Sequence, residues 1–175
     1  GEVMAIGRTF KEALQKAIRS LEIETYGLES RIPALEASFS DKSKHERLSE
    51  INQIIREKLR IPNWERVFYI ADAFRGGMKV DEVYSLTGID PWFLYNIKEI
   101  VEFENRLRGP DGNFPSIMRL FTQPLMLEAK QKGFSDRRLA HLVGSDELNI
   151  RDARRRMGIE AVYKIVDTCA AEFVA

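Results

Sequence analysis

Two stretches of this chain, GMKVDEVYSLTGID (Gly77 to Asp90) and GFSDRRLAHLVGSD (Gly133 to Asp146), align without a gap at a constant offset, 133 − 77 = 56 residues. Gly77 matches Gly133, Met78 matches Phe134, Val83 matches Leu139, Leu86 matches Leu142, Gly88 matches Gly144 and Asp90 matches Asp146. Each copy reads as a short helix, a glycine turn and an acidic cap opening a second helix. A unit of this kind cannot bury its apolar face alone, so two copies imply two related helical bundles side by side.

The flanking sequence keeps the helical period. TFKE opens with Thr9 as a cap whose hydroxyl can accept the N–H three residues on, while Glu12 can reach back to the Thr9 N–H. Phe10, Ala13, Leu14, Ala17, Ile18 and Leu21 then share one face, and Gly27 is the expected stop. Residues 28–42 lack a clean period, contain Pro33 and read as a linker. SKHE opens a helix with an apolar stripe at Leu48, Ile51, Ile55 and Leu59, edged by Lys58 and ended by Pro62. In WERVFYIADAF, capped by Asn63 and closed by Gly76 and Gly77, apolar side chains cover more than half the circumference from Trp64 to Phe74, which predicts a central helix. Asp90 and Pro91 open the next long helix, where a proline's missing N–H carries no penalty. RGPDGNFP is a turn-rich connector; Pro124 starts a helix that Gly133 ends, Ser135 and Ser145 or Asp146 cap two more, and Gly158 closes the last.

Only the ends depart from this pattern. Val3, Met4 and Ile6 alternate in part like a strand, and AVYKIVD near the other end is strand-like as well. A lone strand leaves its backbone groups unpaired and is not stable by itself. The expected fold class is all-α, an irregular array of about 7–9 helices in two related bundles with strand-like terminal segments. With no methionine at Gly1, the opening is either the start of a protein or the edge of something larger.

Composition narrows the function. Lys+Arg and Asp+Glu both number 27, so the net charge is zero, which disfavours a dedicated nucleic-acid binder. Cys169 is the one cysteine, which excludes an internal disulfide framework and fits a reducing compartment. No apolar run approaches the roughly 20 residues that span a bilayer, and the first residues lack signal-peptide character, so a cytoplasmic location is expected.

The second repeat holds the sharpest motif. Ala140, Gly144 and Ile150 have the small–Gly–apolar spacing of a helix-turn-helix, and Arg151, Arg154, Arg155 and Arg156 could meet phosphates. The first repeat, however, has Tyr84, Gly88 and Leu94 in those slots, and a large aromatic in the small slot suits packing rather than a groove. Nucleic-acid binding therefore stands as the alternative to a packing role. His45 and His141 lie far apart, without metal-ligand spacing, and read as surface or rim residues. Cys169 lacks a cation to activate it and reads as a small buried side chain. RGG (Arg75 to Gly77) is too short to cradle a phosphate, and no nucleophilic triad or nucleotide-binding motif is present. The stripe at Leu48, Ile51, Ile55 and Leu59 is the candidate self-association face, with packing inside its own chain as the competing reading.

Four blocks carry a resemblance. GEVMAIGRTFKEALQKAIRSLE, FYIADAFRGGMKVDEVYSLTGIDPWFLYNIKEIVE, KGFSDRRLAHLVG and VYKIVDTCAAEF closely resemble the large subunit of carbamoyl phosphate synthetases, in the family's order and over roughly half of the chain. The resemblance implies residues 1–27 as the tail of a first ATP-grasp unit, 28–160 as a helical connection and oligomerisation domain, and 161–175 as the opening of a second ATP-grasp unit. It also implies a parent ligase that makes carbamoyl phosphate from bicarbonate, glutamine-derived ammonia and two ATP, for arginine and pyrimidine synthesis. That parent uses Mg²⁺ (or Mn²⁺) and K⁺, works with a small glutaminase subunit, and channels labile intermediates through a tunnel. No catalytic, cofactor or metal residue is expected within this segment. Met4, Ile6 and Arg8 are the candidates to border the tunnel.

Overall fold

Helix α5 (Pro91–Arg108) is the hub of the molecule, in contact with α1 (Phe10–Ser20), α3 (Arg66–Arg75), α4 (Val80–Thr87) and α7 (Asp136–Val143). The others are α2 (Lys44–Arg60), α6 (Gln123–Gln131) and α8 (Glu147–Arg156). The structure is a computed structural model, and it describes residues 2–32, 35, 44–108 and 122–163, excepting the side chains of 44–48. Those residues form eight helices and no strand, as the all-α expectation requires. Residues 2–7 have no regular structure, so the strand-like opening finds no sheet. Most of AVYKIVD, the RGPDGNFP connector, Pro33 and Cys169 lie outside the described residues.

The caps explain the boundaries. Thr9 Oγ1 accepts from Glu12 N at 3.2 Å as the sequence predicts, but Glu12 Oε2 reaches one residue further back, to Arg8 N at 2.8 Å. Helix α1 ends at Ser20, well before Gly27. Asn63 sits ahead of α3, where its Oδ1 accepts from Glu65 N at 2.9 Å. Asp90 Oδ1 takes Trp92 N at 2.8 Å, Ser135 Oγ takes Arg138 N at 3.0 Å, and Asp146 Oδ1 takes Asn149 N at 2.8 Å. Each such contact satisfies an N–H that the first turn leaves without a partner, typically worth about 1 kcal/mol.

The internal repeat is structural. Helices α4 and α7 start and stop at equivalent positions of the two copies, as do the end of α3 and of α6 and the start of α5 and of α8. Gly77 and Gly133 share positive φ values of 84° and 91°, and Gly88 and Gly144 share 67° and 65°. The residue after the first glycine turns inward in both: Met78 N bonds Ala73 O at 2.9 Å and Phe134 N bonds Ala129 O at 3.1 Å. Both side chains are buried, and the Phe134 ring meets Phe103 of α5 at 5.3 Å between centroids, joining the copies.

The core is continuous across both copies. In α3 every residue from Phe68 to Phe74 is buried, so the helix is central as predicted; Trp64 is the exception, preceding α3 and standing exposed. Leu94 and its repeat partner Ile150 are both fully buried.

Candidate functional site

Four charged side chains meet where α3, α5 and α7 converge. Glu104 of α5 accepts from Arg75 Nη2 at 2.7 Å and from Arg138 Nε at 2.9 Å, and its carboxylate has no exposure. Arg75 Nη1 also holds Asp72 Oδ1 at 2.8 Å, and its Nη2 donates to the Leu28 carbonyl. Asp72 Oδ2 accepts from Arg31 N at 2.9 Å. The cluster thus ties the segment before α2 to both copies of the repeat: Asp72 and Arg75 come from α3, Glu104 from α5 and Arg138 from α7.

Two acids and two guanidiniums balance in charge but not in environment. Burial acts to raise the Glu104 carboxyl, but Arg138 and Arg75 outweigh it and hold the group below the usual carboxylate range. Burial pushes Asp72 above its usual range despite Arg75, Ser30 and the Arg31 N–H. One guanidinium shared between two carboxylates accounts for the contrast, since Glu104 has a second cation and Asp72 does not. In the sequence only Arg75 stands out, as part of RGG, and nothing there joins it to Asp72, Glu104 or Arg138. A signal was there: Glu104 falls in step with Ile97, Val101 and Leu107 on the apolar face of α5, where a charge requires partners.

A second cluster surrounds Asp136 at the start of α7. Its carboxylate accepts from Lys130 Nζ at 2.9 Å and Arg154 Nη2 at 3.0 Å, while Arg154 Nη1 donates to Ile159 O at 2.8 Å. Burial acts to raise Asp136, yet Arg154 and Lys130 together hold it low. This ties α6, α7 and α8 into one unit. It also engages Arg154, one of the four arginines considered for phosphate contact, and Arg151 reaches Glu147 at 3.4 Å. Ala140 and Ile150 are buried, so the small and apolar slots of the helix-turn-helix pattern serve packing. Among the described residues no group of three or more His, Cys, Asp or Glu side chains could hold a metal ion. His141 is exposed, and the His45 side chain lies outside the described residues.

The stripe on α2 faces inward. Ile55 and Leu59 have 0% exposure and Ile51 has 8%, within the same core cluster as residues of α3 and α4, which α2 packs against. These three positions therefore present no surface to a second copy, which corrects the self-association reading for them. The physical reason is that α3 and α4 bring apolar faces of their own, and the chain buries the stripe before any partner can. The Leu48 side chain lies outside the described residues. Met4 and Ile6 are exposed and Arg8 is exposed beside α1, so the three tunnel candidates face solvent together with the unstructured opening.

An aromatic face stands at the start of α5, against α1. Phe10 of α1 packs edge-on against Trp92 and Phe93 at 5.4 and 5.2 Å, and Trp92 against Phe93 at 5.0 Å. Lys11 and Glu99 pair alongside at 2.6 Å. Trp92, Phe93 and the nearby Tyr95 remain 56%, 42% and 53% exposed.

A duplicated helical array, locked by buried ion pairs and carrying apolar surface, defines a linking or assembly domain. The chain belongs to the family described as carbamoyl-phosphate synthetase large chain, oligomerisation domain, which it matches over residues 2–158. It is 48% identical over 177 residues to the carbamoyl phosphate synthase large chain of Archaeoglobus fulgidus, covering 100% of this chain and 15% of that protein. It is 46% identical to the large chain, N-terminal section, of Aquifex aeolicus, again over 100% of this chain and 27% of that protein. With the large chain of Pseudomonas syringae pv. tomato the identity is 44%, over 99% of this chain and 14% of that one. The chain thus spans well under a third of the length of these relatives.

Proposed function

We propose that this chain is the connecting and self-associating segment of a glutamine-dependent carbamoyl phosphate synthase large chain. It joins two ATP-using units and itself carries no catalytic residue, cofactor or metal ligand. The parent makes carbamoyl phosphate from bicarbonate, ammonia and ATP, with Mg²⁺ or Mn²⁺ and K⁺ held outside this segment, in the cytoplasm and in partnership with a small glutaminase subunit. The observation that carries this reading is the family match running through the whole duplicated helical array. The internal charges support it, because the clustered acids and cations neutralise one another in the core instead of facing a cleft. On this reading residues 1–27 close the first ATP-using unit, 161–175 open the second, and Met4, Ile6 and Arg8 border the passage between them.

Self-association has to use surface outside the Ile51–Ile55–Leu59 stripe. Among the described residues, Ile54, Ile61 and Trp64 are the large apolar side chains left exposed on and just beyond α2. Sedimentation velocity across a wide concentration range tests the reading. A rise in average mass with concentration is the expected result, and a strict monomer at all concentrations removes the self-associating role. Calorimetric titration with Mg²⁺ and ATP tests the second half, and saturable micromolar binding would overturn the non-catalytic assignment.

A further inference from the structure

The repeat supplies an internal control for which surface residues the fold needs. Trp92, Phe93 and Tyr95 open α5, and the equivalent positions opening α8 hold Leu148, Asn149 and Arg151. Both helices start at the same place in their copies, both are capped by an aspartate, and both bury the next apolar residue, Leu94 or Ile150. The fold therefore tolerates polar groups at two of these positions, and the parts of the three rings that stay exposed beyond the Phe10 contact are not explained by packing within this chain. Exposed aromatic surface of this kind marks a contact.

We infer that the Trp92–Phe93–Phe10 face docks the part of the same polypeptide that precedes residue 1 in the longer large chain; this rests on the parent reading above. Three observations select this occupant over a second copy. The chain covers 15% of its Archaeoglobus relative, so most of such a protein lies outside it. The third ring of the face, Phe10, sits at the first position of α1, directly where residues 2–8 join the helical body. Those residues have no paired strand, and they carry Val3, Met4 and Ile6 exposed, as an edge awaiting a sheet would. A body laid on that edge would reach the aromatic face next to it.

Hydroxyl-radical footprinting reads side-chain oxidation peptide by peptide, in residues 1–175 alone and in the natural polypeptide that contains them. The expected result is a several-fold loss of oxidation at Trp92 and Phe93 in the longer polypeptide, independent of protein concentration. Equal oxidation in the two would overturn the assignment. So would protection that appears in the short chain as its concentration rises, because that result identifies a second copy as the occupant. Trp92→Lys gives an independent readout: it loses the ring contacts with Phe10 and Phe93 in both proteins, so it should lower the melting temperature of the longer polypeptide by more than that of residues 1–175, and equal shifts would overturn the proposal. The intact mass of the natural product separates the two readings. A product of 20.2 kDa ends the parent reading, whereas unprotected rings in a longer product end only this docking surface.

Discussion

Arg138 of α7, in the second copy of the repeat, donates through Nε to Glu104 of α5, the helix that follows the first copy, at 2.9 Å, with both side chains fully buried. Gly27 leaves just enough room, since a Cβ there would stand 3.1 Å from Arg138 Cγ. Arg75 grips the other oxygen of Glu104, so a single carboxylate holds two cations out of water.

Glu104→Gln should therefore destabilise the fold by about 3–5 kcal/mol, because it removes the buried carboxylate charge that Arg138 and Arg75 share, without removing their desolvation cost. Asp72→Asn should cost clearly less, since the Asp72 charge is the one the site disfavours. Urea unfolding of the two variants ranks them, and equal losses would contradict the division of roles between the two acids.

The same cluster sets an acid limit. The Glu104 carboxyl is depressed in the fold, so its stabilising contribution is present above its unfolded value of about 4.3. That contribution is lost as the pH falls through the lower folded value. Asp136 behaves alike, with Arg154 and Lys130 outweighing its burial. Asp72 has the opposite sign: its folded value lies above the unfolded one, so its contribution is present in acid and is lost as the pH rises through the folded value. Glu12, Glu82 and Glu128 are depressed too, so with five acids depressed against one raised the net expectation is a stability loss below about pH 4. In Glu104→Gln that loss should be smaller than in the wild type, which melting curves from pH 3 to pH 7 would show.

Leu59→Ala should cost about 2–5 kcal/mol, as expected for a fully buried leucine. Leu59→Glu should lower the melting temperature more sharply, and neither change should selectively dissociate an assembly of folded chains. A stable, folded variant with altered sedimentation would instead restore the stripe to an interface.

Gly133 and Gly77 share a left-handed backbone but not a neighbourhood. A Cβ on Gly133 would lie 2.8 Å from the Glu12 Cα of α1, whereas nothing lies within 4 Å of one on Gly77. Alanine at either position carries about 1–2 kcal/mol of backbone strain. Gly133→Ala should lose more than Gly77→Ala, because α1 must also move. That shift would disturb the bonds from Gln15 to Lys132 O at 2.9 Å and from Arg19 to Gly133 O at 2.8 Å. Hydrogen exchange should then report faster opening of α1 in the Gly133 variant alone, and equal protection in both would argue against the contact.

Local chemistry determined the helices. Thr9, Asp90, Ser135 and Asp146 begin them, Gly88, Gly144 and Gly158 end or follow them, and the two copies keep one register, because capping and left-handed turns depend on residues only a few positions apart. Tertiary structure decided which apolar stripes meet. The Ile51, Ile55 and Leu59 pattern says that a face will be buried, but burial against α3 and burial against a second copy satisfy the same hydrophobic demand. The same holds for charge: Glu104, Arg75 and Arg138 are each unremarkable in the chain, and only the convergence of three helices makes them one cluster. Periodicity records that a side chain must leave water, and the partner it leaves water for is chosen by residues far away in sequence.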